Sequence, residues 1–225
     1  MKDHNHMYYF KELREKMVEE QLVLRGIKDK RVLSAMKIIP RELFLPEKLK
    51  PVAYDDGPLP IGYGQTISQP YIVALMTELL TIKEEDKILE IGTGSGYQSA
   101  ILSLLAQKVF TIEKIERLSK KAKSILNKLG CINVEEIVGD GSVGFAKEAP
   151  FDKILVTAGT PFFPLDLKNQ LSPNFGTAVI PIGDRHMQTL TKIVREGDTF
   201  KKEESIPCMF VPLVGKYGWQ SENGK

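Results

Sequence analysis

Three carboxylates and a glycine-rich turn carry the first chemistry that can be read from this chain. Ile88-Leu89-Glu90-Ile91-Gly92-Thr93-Gly94-Ser95-Gly96-Tyr97 joins a short apolar run, a predicted buried strand, to a helical pattern. Glycines at such a turn let a ligand approach the backbone opposite a helix N-terminus. A dinucleotide fingerprint would place glycine or alanine where Tyr97 stands, and no Gly-Lys-Ser/Thr follows to make a phosphate loop. Two more acids, Glu113 and Asp140, fall just after the next two predicted strands. Each acid alone can be read as a strand end, a helix's first turn or a turn former. In order, at three successive strand ends, they make a far more specific signal than any one of them alone.

The elements that must position these residues follow from hydrophobic periodicity. Apolar positions Phe10, Leu13, Met17, Leu22 and Leu24 predict an amphipathic helix over 8–25, with Gly26 at its C-terminal cap. Asp29 caps a second helix through Ile39, and a short turn covers 41–45 before Pro46. Residues 51–70 contain Pro51, Pro58, Pro60 and Pro70 with Gly57, Gly62 and Gly64, which argues against regular structure. Tyr54, Leu59, Ile61 and Tyr63 make this an ordered loop packed over something.

Beyond it the pattern alternates. Helices are predicted over 71–80, 97–105 and 115–129, and strands over 88–91, 108–112, 134–138 and 153–157. Strands separated by helices imply an α/β, doubly wound, mostly parallel sheet. After Pro173, strands at 177–182, 190–194 and 209–214 follow one another, with turns at Gly183-Asp184 and Gly197-Asp198, so antiparallel strands are added at the sheet's end. The expected organisation is a mobile tail at 1–7, a single domain over 8–219 and a mobile tail at 220–225. Within the domain, 8–70 is helical with the long loop, 71–172 is the core and 173–219 holds the antiparallel strands.

Composition narrows the partners. The 225 residues are 42% hydrophobic and 27% charged, which suits a globular chain. Thirty-one basic and 29 acidic side chains leave a formal charge of +2, without the basic excess that nucleic acid requires. The uncharged stretch 57–77 is broken by prolines and polar residues, so no membrane span is expected. His4, His6 and His186, with Cys131 and Cys208 distant in sequence, do not assemble a metal site. Two cysteines and no signal-peptide pattern predict a cytoplasmic protein. No obligate partner is evident.

The pattern Glu90-x-Gly92-x-Gly94-x-Gly96 resembles motif I of class I S-adenosylmethionine-dependent methyltransferases. The resemblance implies a Rossmann-like, seven-stranded fold and S-adenosyl-L-methionine as cofactor, with S-adenosyl-L-homocysteine as product. It assigns cofactor binding to Glu90, Gly92, Thr93, Gly94, Gly96, Glu113, Lys114, Asp140 and Gly141. Glu90 suits the sulfonium and amino charges. Glu113 would accept from the ribose hydroxyls, and Asp140 from the adenine amino group.

Six segments, one of them containing this pattern, are similar to the protein-L-isoaspartate O-methyltransferase family, in order, between about Met17 and Trp219. They are Gly64-Gln65-Thr66-Ile67-Ser68-Gln69-Pro70, the stretch 90–98, Val138-Gly139-Asp140-Gly141-Ser142, the stretch from Ala149 to Gly159, Pro181-Ile182-Gly183, and Val211-Pro212-Leu213-Val214-Gly215. This resemblance implies methylation of the free α-carboxyl of L-isoaspartyl residues in damaged proteins and peptides, which initiates their repair. Ser68 falls on the family's active-site serine. Thr66, Ile67 and Val214 fall at the substrate, with 211–214 offering backbone groups to an extended peptide. Some relatives carry histidine where this chain has Tyr71. A carboxyl acceptor is already ionised at neutral pH, so no strong general base is needed.

Ser68 can equally be a helix N-cap, since a predicted helix follows it closely. Cys208 follows a proline, as a cytosine-methylating nucleophile would, but falls in the antiparallel region, where a buried cysteine is commoner. The Asn/Asp-Pro-Pro-Tyr of adenine-type enzymes is absent, the chain reading Thr-Ala-Gly-Thr-Pro over 157–161. A small-molecule O-methyltransferase and a non-catalytic cofactor-binding protein stay open as other classes.

Overall fold

The computed structural model describes residues 2–220, with side chains from residue 8 onwards. Of the ends expected to be mobile, Met1 and 221–225 lie outside the described residues, while 2–7 continue the first helix, α1 (Lys2–Met17). That helix passes directly into a π-helical segment, Val18–Val23, rather than staying α-helical to residue 25. The amides of Leu24 and Ile27 bond to the carbonyls of Glu19 and Leu22, five residues back. This wider turn brings Met17, Leu22 and Ile27 onto one buried face. Asp29 caps α2 (Lys30–Ile38) by accepting from the amides of Arg31 and Val32.

The loop over 51–70 contains regular structure that its prolines had argued against. Strands β1 (Leu59–Gly62) and β2 (Gln65–Ile67) pair as an antiparallel hairpin. The turn residues Tyr63 and Gly64 have φ of 55° and 69°, the positive pair that a two-residue hairpin turn needs. A two-stranded ribbon leaves each strand one free edge, so Pro60 is tolerated within it.

Helix α3 (Pro70–Leu79) leads into the main sheet of β3 (Lys87–Ile91), β4 (Lys108–Glu113), β5 (Val134–Val138), β6 (Lys153–Val156), β7 (Asn174–Gly183), β8 (Gln188–Glu196) and β9 (Thr199–Cys208). Its order is β5-β4-β3-β6-β7-β8-β9, parallel as far as β7 and antiparallel thereafter, in agreement with the expected fold class. The last strand differs from expectation. It is β9, not 209–214, because β9 is an edge strand whose exposed Lys201, Lys202, Glu203 and Glu204 give no apolar alternation. The apolar run that follows makes only isolated bridges.

Helices α4 (Tyr97–Ser103) and α5 (Glu116–Lys128) pack with α1, α2 and α3 on one sheet face, around Ile88, Val109, Leu118 and Leu126. The opposite face centres on Leu89, Ile91, Phe110 and Ile112 and is covered by Phe151 and the short α6 (Leu165–Gln170). At the N-terminus of α4, the buried Tyr97 ring meets Phe44 edge-on at 5.4 Å, and the Arg41 guanidinium lies 5.1 Å from its centre. The residue that departs from the dinucleotide pattern therefore fastens the 41–44 turn of the N-terminal region to α4. Among the described residues, no helix is long and apolar enough to cross a membrane.

Candidate active site

Strand β3 has β4 on one side and β6 on the other, so successive connections leave it in opposite directions and open a crevice at its carboxyl end. The glycine loop lies there, against a cavity of about 520 Å³. Of the residues singled out from sequence, Gly92, Thr93, Gly94, Glu113, Lys114 and Gly141 line one part of this cavity, and Thr66, Ile67, Ser68 and Val214 line another. Glu90, Gly96 and Asp140 do not line it.

Two glycines of the loop are required by geometry. Gly92 has φ of 96°, and a Cβ there would lie 2.5 Å from Thr157 Oγ1. Thr157 is fixed by donating to the Gly92 and Ile91 carbonyls at 2.6 and 3.0 Å. Gly96, at φ 89°, lets α4 approach α5, since its Cβ would lie 3.0 Å from that of Ala122. Gly96 thus shapes the loop from behind.

The three acids occupy different surroundings. Glu113 is 7% exposed at the end of β4, and its Oε2 and Oε1 accept from the amides of Gly94 and Ile115, both at 2.8 Å. A carboxylate accepts about four hydrogen bonds, so capacity remains on both oxygens for a pair of donors in the cavity. Glu90 is fully buried, with one oxygen accepting from Ser99 and the other without a partner among the described residues. Burial pushes its carboxyl up to about 7, against hydrogen bonds from Ser99 and Thr111 and with the Glu113 charge adding to the rise. Asp140 is half-buried. Its Oδ1 accepts from the Ser142 amide and hydroxyl, and its Oδ2 from the Lys216 amide. Burial raises its pKa, but these bonds and the Lys114 charge outweigh it, so the carboxyl sits below its ordinary range.

Hairpin β1–β2 forms the other wall. Ile67 is buried and anchors the hairpin, Thr66 is exposed, and Ser68 follows in the connection to α3. The N-cap of α3 is Gln69, with no side-chain capping bond, so Ser68 does not serve as the cap. Residues 211–214, which line the same cavity, run beside Gly159, whose amide donates to the Val211 carbonyl while its own carbonyl accepts from the Leu213 amide, both at 2.8 Å. The Leu213 carbonyl and Gly215 amide turn towards Trp219. The amide and carbonyl of Val214 therefore point the opposite way, as alternation along an extended chain requires. Lys114 Nζ lies 3.2 Å from that carbonyl.

The family model described as "Protein-L-isoaspartate(D-aspartate) O-methyltransferase (PCMT)" matches residues 12–218. The chain belongs to this family. It is 52% identical over 215 residues to the Protein-L-isoaspartate O-methyltransferase of Trichlorobacter lovleyi, covering 95% of this chain and 99% of that one. It is 51% identical over 211 residues to Protein-L-isoaspartate O-methyltransferase 2 of Geotalea uraniireducens, covering 93% and 97%. A solved protein-L-isoaspartate O-methyltransferase superposes with a TM-score of 0.83 at 28% identity, over 91% of this chain and 67% of that one. A Plasmodium falciparum structure described as a beta-aspartate methyltransferase (PCMT), in complex with S-adenosyl-L-homocysteine, superposes with a TM-score of 0.77 at 25% identity, over 89% and 98%.

Members of this family depend on S-adenosyl-L-methionine, and the residues here fit that group. The Glu113 carboxylate with spare acceptor capacity suits adjacent hydroxyls, and the glycine loop itself, 92–96, carries no basic side chain for phosphate. Sequence reasoning passed over several wall residues. Thr157 was readable as the end of the strand beside β3, where the switch-point rule places ligands. Gln98, buried and donating to Thr77 Oγ1, and Tyr63 gave no comparable signal.

Proposed function

We infer that the protein transfers a methyl group from S-adenosyl-L-methionine to the free α-carboxyl of L-isoaspartyl residues in damaged proteins and peptides, initiating their repair. The observation that carries this reading is one cavity with two unlike walls. One wall combines the glycine loop with Glu113. The other combines the hydroxyls of Thr66 and Ser68 with the backbone of Val214, whose carbonyl also accepts from Lys114 Nζ.

S-adenosyl-L-methionine supplies an electrophilic methyl group on a sulfonium. Glu113 would hold the ribose end, with Lys114 and Gly141 beside it, and Asp140, set back from the cavity, would fix the turn at Gly141 beside the adenine end through its bonds to Ser142 and Lys216. Glu90 would act as a buried negative charge behind the loop of Gly92, Thr93, Gly94 and Gly96. Ser68 would donate to one carboxylate oxygen of the acceptor and leave the other aimed at the methyl carbon, with Thr66 and Ile67 fixing the approach. The isoaspartyl backbone would lie along Val214 as an added strand. An ionised carboxylate needs no base, so the gain comes from in-line alignment with water excluded. The free thiols Cys131 and Cys208 suit the cytoplasm, where we place the enzyme.

The test is transfer of radiolabelled methyl to two synthetic peptides that differ only in isoaspartyl or aspartyl at one position. Label confined to the isoaspartyl peptide is expected. Label on neither peptide, or on small soluble acids instead, would sink the proposed acceptor.

A further inference from the structure

Tyr63 is held in a conformation that the fold does not reward. It is the first central residue of the β1–β2 turn, at φ 55°, a region that bulky side chains avoid and that glycine or asparagine usually fills. A Cβ at Gly62 or Gly64 would meet nothing within 4 Å, so close packing does not dictate the residue types beside Tyr63. The Tyr63 side chain is 54% exposed, and among the described residues it makes no ring contact and its hydroxyl no hydrogen bond. The residue nevertheless lines the cavity, on the hairpin that also carries Thr66 and together with Ser68 and Val214. A bulky ring kept in a disfavoured conformation at a cavity wall, more than half exposed and without a ring contact or hydroxyl bond among the described residues, points to a functional contact.

We propose that Tyr63 is a specificity-determining residue whose ring packs against an apolar side chain flanking the isoaspartyl residue of the substrate. This rests on the isoaspartyl reading above. A peptide extended along Val214 sends successive side chains to opposite sides. With the isoaspartyl carboxyl turned to Ser68, a flanking side chain stays at the mouth, where the hairpin tip stands. An exposed aromatic face gains most from an apolar partner, through area removed from water.

The experiment compares wild type, Tyr63→Gly and Tyr63→Phe on isoaspartyl peptides carrying leucine or serine at each flanking position in turn. Wild type should show a KM roughly three- to tenfold lower for leucine at one flank. Tyr63→Phe should keep that preference and Tyr63→Gly lose it, with the effect on KM rather than kcat. Glycine accepts the positive φ, so Tyr63→Gly should melt no lower than wild type, which separates loss of the ring from loss of the fold. An unchanged leucine preference in Tyr63→Gly, or a loss confined to kcat, overturns the proposal. Failure of wild type to methylate any isoaspartyl peptide would instead overturn the reading on which it rests.

Discussion

The Gly94 amide donates to Glu113 Oε2 at 2.8 Å, so the glycine loop and the end of β4 hold each other in register. With the Ile115 amide on Oε1, the carboxylate is aimed by the backbone on both sides of the strand end. Glu113→Ala should weaken S-adenosyl-L-methionine binding about 100-fold, the scale of losing two charge-assisted hydrogen bonds. Glu113→Gln, which keeps one acceptor, should lose roughly tenfold. Titration calorimetry reads both, and unchanged affinity in the alanine variant would count against the ribose role.

Ser68 lies one residue before the N-cap of α3 and takes no part in capping it. Ser68→Ala should therefore leave the melting temperature and cofactor affinity essentially unchanged while lowering kcat about tenfold, the expected penalty for a loosened acceptor carboxylate. A joint fall in stability and turnover would point to a folding role.

Gly92 combines a positive φ with a Cβ position already occupied by Thr157 Oγ1. Gly92→Ala must adopt an unfavourable backbone and also displace the hydroxyl that bonds to the Ile91 and Gly92 carbonyls. A destabilisation of about 2–4 kcal/mol in denaturant melts is expected, with cofactor affinity falling further than stability. Wild-type stability in this variant would mean that the loop is free to rearrange.

What could be read from the chain was whatever periodicity and strand-end position encode. Glu113 was legible because a helix and a strand on either side fix where β4 stops, and the parallel core because buried strands are continuous apolar runs. β9 was hidden because an exposed edge strand can be almost wholly charged. The β1–β2 hairpin was hidden because its turn is built on Tyr63, a residue whose type gives no hint of a positive φ. The separation of Glu90 from the cavity surface was equally invisible, since sequence gives a side chain's place along a strand but not which face the ligand takes.

Glu90 yields a pH signature with a definite sign. Its folded carboxyl titrates near 7 because of burial, against an ordinary value of 4.5. Below pH 4.5 the folded and unfolded chains both hold the proton, and above 7 both have lost it. Between these limits the folded form binds the proton more tightly, so stability contributed by this group is full at low pH and is lost as pH rises through 7. The loss is at most about 3–4 kcal/mol, since each pKa unit corresponds to about 1.4 kcal/mol. Urea melts of the ligand-free protein at pH 5 and pH 8 should show this decline, and Glu90→Gln should flatten it whatever offset the amide introduces. A cationic cofactor in the adjoining cavity favours the ionised carboxyl, so saturation with S-adenosyl-L-methionine should shrink the wild-type decline more than S-adenosyl-L-homocysteine does. Parallel pH curves for wild type and variant would show that Glu90 keeps an ordinary carboxylate pKa despite its burial.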